Sequence, residues 1–182
     1  MKKTRNSVFE TNSSSVHAIC ITKNDRVLNE LTQYVRFRFD DFGWEFRDLR
    51  SLHEKASYLY TAILCNYDTK EESDKFIEKI KSALTKNGVT YDFDEPEFEI
   101  FDYATENGEQ KTCRWLASGY VDHPQDLICF INDVCNDENK LMRYLFSSQS
   151  CVLTANDNSD NYGSFLDKNT PEYEHDLYKK GN

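Results

Sequence analysis

Between Asp92 and Glu109 the chain has no Lys or Arg, although it carries Asp92, Asp94, Glu95, Glu97, Glu99, Asp102, Glu106 and Glu109. No cofactor or catalytic motif stands beside this run, so charge and shape are the main functional signals. No apolar stretch approaches the roughly 20 residues that span a bilayer; Leu127–Val134 is among the longest. Met1-Lys2-Lys3-Thr4-Arg5-Asn6 leads into polar sequence, which argues against a secretion signal or membrane anchor. Histidine is scarce, with four residues at 17, 53, 123 and 175, and they offer no HExxH or comparable pair. The six cysteines, at 20, 65, 113, 129, 135 and 151, include no CxxC. A chain of this size does not depend on disulfide staples, so reduced thiols and a cytoplasmic setting are expected.

What is present argues for a fold. The 182 residues suit one domain, and the formal charge of −10 disfavours a basic DNA-binding protein or an adhesive for anionic membranes. Mean hydropathy is only −0.75. Twelve Phe and eleven Tyr nevertheless separate the chain from disordered acidic sequences, which are poor in aromatics.

Val16–Thr22 is nearly continuously apolar and β-branched, as in a strand buried on both faces. Tyr34–Phe39 alternates, with Val35, Phe37 and Phe39 inward and Arg36 and Arg38 outward, and leads into an aromatic turn at Phe42-Gly43-Trp44-Glu45-Phe46. Ser51-Leu52-His53-Glu54 is a capping-box signature, followed at helical spacing by Leu52, Ala56, Leu59, Tyr60 and Ile63, which predicts a helix over about 52–65. Thr69-Lys70-Glu71-Glu72 opens a second helix that Asn87-Gly88 should end. From Val89 the period becomes alternating, Pro96 suggests an edge or bulge, and Asn107-Gly108 predicts a hairpin between strands near 97–103 and 111–116. A third helix should start near Pro124 and bury Leu127, Ile128, Ile131 and Val134; Leu141, Met142, Leu145 and Phe146 mark a fourth. Cys151–Leu153 reads as a last strand. The expectation is an α+β chain with a mainly antiparallel sheet and about four helices in one compact domain over 1–155, then a polar loop and C-terminal tail over 156–182.

Several constellations invite chemistry. Glu95, Glu97 and Glu99 on an extended strand would stand about 6.6 Å apart in a row. Phosphates on one DNA strand follow each other by about 3.4 Å along the axis, so such a row has the charge density of a nucleic-acid mimic. The plainer reading is the solvated face of an antiparallel sheet. Thr11–Ser15 beside His17 places hydroxyls near an imidazole, but no Gly-x-Ser-x-Gly surrounds them, and a polar turn that starts the first strand is the better account. Asp157–Asn161 resembles a calcium loop, yet its glycine falls late at Gly163 and its twelfth position is Lys168. Asp102 with Glu109 and Lys111, or the Asp122-His123 pair, would suit a small metal-dependent nuclease or hydrolase.

The opening Arg5-Asn6-Ser7-Val8-Phe9-Glu10-Thr11-Asn12-Ser13-Ser14-Ser15-Val16-His17 resembles that of small proteins encoded by phages and mobile elements of gut Firmicutes. Within that group the chain, by length, acidity and this opening, is similar to the anti-CRISPR proteins that inhibit the type II-A effector nuclease. The resemblance implies a stoichiometric inhibitor rather than an enzyme, acting in the bacterial cytoplasm without a cofactor. It would bind the RNA-guided DNA endonuclease, with or without guide RNA, and block DNA binding or cleavage. No direct nucleic-acid binding is expected. The resemblance assigns no functional residues; physics supplies Asp92, Asp94, Glu95, Glu97, Glu99 and Asp102 as phosphate imitators against Lys and Arg of the partner. An antitoxin-like module against another host protein is the remaining alternative.

Overall fold

The computed structural model describes residues 15–24, 34–43, 45–105, 107–122, 127–156 and 175–180. Trp44, His123, Pro124 and the Thr11–Ser14 and Asp157–Lys168 segments discussed above lie outside them. The described residues form an α+β fold with four helices and mostly antiparallel strand pairs.

The main sheet is built on β1 (Ser15–Thr22), whose residues are all buried and which has a strand neighbour on each side; Ile19 and Ile21 face the main core. β9 (Cys151–Asn156) pairs with one edge and β10 (His175–Lys180) with the other, both antiparallel, and β4 (Arg47–Leu49) extends the sheet beyond β9. β10 corrects the expectation of a loop and tail over 156–182 for its own six residues. Only Leu177 and Tyr178 are apolar there, so the local pattern is weak; their partners Cys20 and Ile19 in the strongly apolar β1 supply the drive to pair.

Against this sheet lies α1 (Leu52–Asn66). Its capping box forms as the sequence predicts: Ser51 Oγ accepts from the Glu54 amide, and the Glu54 carboxylate accepts from the Ser51 amide at 3.1 Å. Ala56, Tyr58, Leu59, Tyr60, Ala62, Ile63 and Leu64 are buried, so this helix is the centre of the core rather than a surface helix. α2 (Lys70–Lys86) is amphipathic, burying Ile77, Ile80, Ala83 and Leu84. It stops at Asn87, whose amide reaches the Ala83 and Leu84 carbonyls, and Gly88 takes the left-handed φ of 71° that a side chain would resist.

α3 (Leu127–Asn136) and α4 (Glu138–Phe146) complete the core. Ile128, expected inside, is exposed, and Phe130 is buried instead. It packs edge-on to Tyr144 at 5.1 Å, so the face that meets α1 is set by the larger ring. Two short parallel pairs tie the connections down: β2 (Tyr34–Phe37) with β5 (Thr90–Phe93), and β3 (Asp41–Phe42) with β8 (Tyr120–Val121). β6 (Phe98–Ala104) and β7 (Gln110–Leu116) form a separate two-stranded hairpin, within a residue of the predicted bounds. Among the described residues no helix is long and apolar enough to cross a membrane.

Candidate functional site

The acidic run begins on β5, where the register opposes Asp92 to Arg36 of β2. The Arg36 guanidinium donates to Asp94 Oδ1 from Nε at 3.1 Å and from Nη2 at 2.8 Å, and lies 3.8 Å from Asp92. That bond to Asp94 raises the guanidinium pKa. Backbone contacts fix the same point: the Asp94 amide donates to Phe37 O and the Tyr60 hydroxyl to Asp94 O, at 2.9 and 2.8 Å. Phe93 stacks on Phe37 with ring centroids 4.3 Å apart. Asp92 and Asp94 therefore anchor the base of the run and share a cation within the chain.

Residues 94–97 lie between β5 and β6 and belong to neither strand, so Glu95 and Glu97 are not strand residues as expected. Pro96 accounts for the break, since it has no N–H for a ladder. Exposure still alternates: Glu95, Glu97 and Glu99 face solvent while Asp94, Pro96 and Phe98 are half-buried. The Ala117 amide donates to Glu97 O at 2.8 Å, carrying the hairpin register one step beyond the Phe98–Leu116 pair. The three glutamates thus share one side of an extended segment.

The hairpin register sorts everything beyond them. Phe98, Ile100 and Asp102 fall on one face with Leu116, Arg114 and Thr112; Glu99, Phe101 and Tyr103 fall on the other with Trp115, Cys113 and Lys111. The first face attaches the hairpin to the body. Leu116 is buried, and the Arg114 guanidinium lies 4.2 Å from the Phe98 ring while donating to Thr69 O at 2.7 Å and Ser73 Oγ at 2.6 Å. Asp102 points to this side and accepts from the Thr112 hydroxyl at 2.7 Å.

The second face holds the residues that sequence reasoning missed. Phe101 and Trp115 meet edge to face at 5.2 Å, and Phe101, Tyr103 and Trp115 are 36%, 45% and 53% exposed. Because 95, 97, 99, 101 and 103 have the same parity, the outward side reads Glu-Glu-Glu-Phe-Tyr, with Trp115 directly opposite Glu99. The signal was present in the alternation and in the Asn107-Gly108 turn, where Gly108 has φ 79°. Of the six carboxylates singled out, the structure groups Glu95, Glu97 and Glu99, ties Asp92 and Asp94 to Arg36, and places Asp102 on the opposite face from Glu99.

The catalytic alternatives find less geometry. Asp102 and Lys111 occupy opposite faces of the hairpin, and Lys111 lies 3.7 Å from Glu109. No group of three or more His, Cys, Asp or Glu among the described residues is placed to hold a metal ion. His17 is buried: Nε2 donates to Gly43 O at 3.1 Å, and Nδ1 is hydrogen-bonded with the Tyr58 hydroxyl at 2.9 Å. Ser15 donates to Asp122 O. An open cleft of about 510 Å³ is lined by Lys23, Asp133, Lys140, Asp176 and Tyr178 among others. Its charges pair with each other, Lys140 lying 3.3 Å from Asp176 and 3.5 Å from Asp133.

What the arrangement can do chemically is present a row of carboxylates that runs into a patch of aromatic rings on a thin projecting ribbon. No family model, curated protein or solved structure matches this chain.

Proposed function

We propose that the chain is a stoichiometric inhibitor of the anti-CRISPR type, which binds a type II RNA-guided DNA endonuclease and keeps it from using target DNA. The observation that carries this reading is the outward side of residues 95–103, where three exposed glutamates lead into Phe101, Tyr103 and Trp115. Such an effector holds its heteroduplex in a positively charged channel and reads its PAM with arginines. Three exposed carboxylates on one side offer such a channel the negative charge that it otherwise meets in a phosphate backbone. Aromatic rings beside them offer the stacking surfaces that a channel for single-stranded nucleic acid uses on bases. Opposite charge accelerates the encounter, and added salt weakens it.

Reversing Glu95, Glu97 and Glu99 to Lys together tests the proposal. Inhibition of DNA cleavage by the guide-loaded effector should weaken by well over about tenfold with the thermal midpoint kept, because these side chains are exposed and outside the core. The parent should titrate the effector near equimolar ratio. A triple variant that inhibits like its parent removes the acidic side from the contact surface.

A further inference from the structure

Cys20 and Cys151 face each other directly as the last pair of the antiparallel β1–β9 ladder. Opposed residues on such strands have Cα atoms about 4.5–5.5 Å apart, within the 4.4–6.8 Å that a disulfide spans, so no backbone movement is needed to join them. Their side chains share a small apolar cluster with Ala18 and Leu153, packed by Leu177. From this pairing we propose that Cys20 and Cys151 form a thiol-exchange site, which a small disulfide such as oxidised glutathione converts into a cross-strand bond.

The site has features that the other cysteines lack. The Cys151 thiol is held below its ordinary range, chiefly because Cys20 hydrogen-bonds to it; Arg50 and Lys55 add positive potential, while burial and the Asp48 carboxylate act against it. Cys135, by contrast, is pushed up to about 12 by burial. Both thiols are buried, Cys20 at 0% and Cys151 at 1%, so the exchange proceeds through local opening of the sheet, with part-exposed Arg50 adding positive potential at Cys151.

In the first step the Cys151 thiolate attacks one sulfur of oxidised glutathione and releases a glutathione thiolate. In the second, Cys20 loses its proton to that thiolate and attacks the Cys151 sulfur of the mixed disulfide, expelling the second glutathione. Two protein thiols are oxidised and one glutathione disulfide is reduced to two thiols.

The test incubates the native, fully reduced chain with oxidised glutathione, alkylates the remaining thiols and maps the peptides by mass spectrometry. The expected result is one crosslinked peptide pair, Cys20 to Cys151, forming ahead of any other protein disulfide and reversed by dithiothreitol. In Cys20→Ala, Cys151 should stop at the glutathione adduct; in Cys151→Ala, reaction at Cys20 should fall at least about tenfold. The parent map decides even where a variant folds poorly. If Cys20 and Cys151 remain as alkylatable as in the untreated chain while exposed Cys129 reacts, or if each takes up glutathione without crosslinking, the proposal is wrong.

Discussion

β1 and β6 are both rich in strand-forming residues, yet β1 is buried at every position and β6 at none. Their neighbours explain the contrast. β1 has a strand on each side and the main core against Ile19 and Ile21, whereas β6 has β7 as its one paired strand, and a two-stranded ribbon buries little of itself. Apolar side chains in the first place hold the fold together. In the second, Ile100 at 71% exposed and the rings of Phe101, Tyr103 and Trp115 contribute little to stability and are available for another surface.

The sharpest way to break this comparison is to truncate one aromatic of the buried body and one of the β6–β7 hairpin. Phe37 is fully buried among Tyr60 and Phe93, so Phe37→Ala should cost about 3–5 kcal/mol in urea unfolding. Trp115→Ala should cost under about 1 kcal/mol. Equal losses would mean that the hairpin is part of the core after all.

The body also hides a cation where the hairpin displays anions. Lys55 is buried, donates to the Ser147 and Ser150 carbonyls, and has its pKa lowered by burial from 10.5 to about 8. From about pH 8 to 10.5 the unfolded chain keeps a proton that the folded chain gives up, so this group makes stability rise with pH. Buried Cys135 works the other way, because its raised pKa leaves the unfolded chain to ionise first. The Lys55 effect is therefore read as a difference: relative to Lys55→Met, the parent should gain up to about 2 kcal/mol between pH 7.5 and 9.5. A flat difference would show that Lys55 keeps its proton in the fold.

A smaller effect sharpens the boundary between the regions. Arg114→Ala removes the bonds to Thr69 O and Ser73 Oγ and should lower global stability by about 1–2 kcal/mol. Amide exchange in β6 and β7 should quicken far more than in β1. Uniform quickening would make the hairpin and the body one cooperative unit.

The same contrast explains what the sequence made legible. Both capping signatures, the apolar β1 and the Asn107-Gly108 turn were readable because each is a local physical signal that the packing reinforces. β10 was not, because its pairing depends on β1 and not on its own six residues. Phe130, and not Ile128, completes the i, i+3, i+4, i+7 face with Leu127, Ile131 and Val134, so its burial was legible in the helical period itself. At the candidate site, the exposed alternation of Glu95, Glu97 and Glu99 was legible from parity. The loss of Asp92 and Asp94 to Arg36 depends on a parallel pairing between distant segments, and the separation of Asp102 depends on which hairpin face attaches through Arg114. The aromatic continuation was overlooked because strand aromatics ordinarily point to a core, and only the three-dimensional arrangement leaves this face uncovered.

The most direct measurement is hydrogen exchange of the chain alone and bound to the guide-loaded effector. Slowed exchange concentrated over Glu95–Leu116, with little change in the main sheet, is the result expected if the ribbon enters the cationic channel. Protection elsewhere, with those amides exchanging as in the free chain, would contradict it.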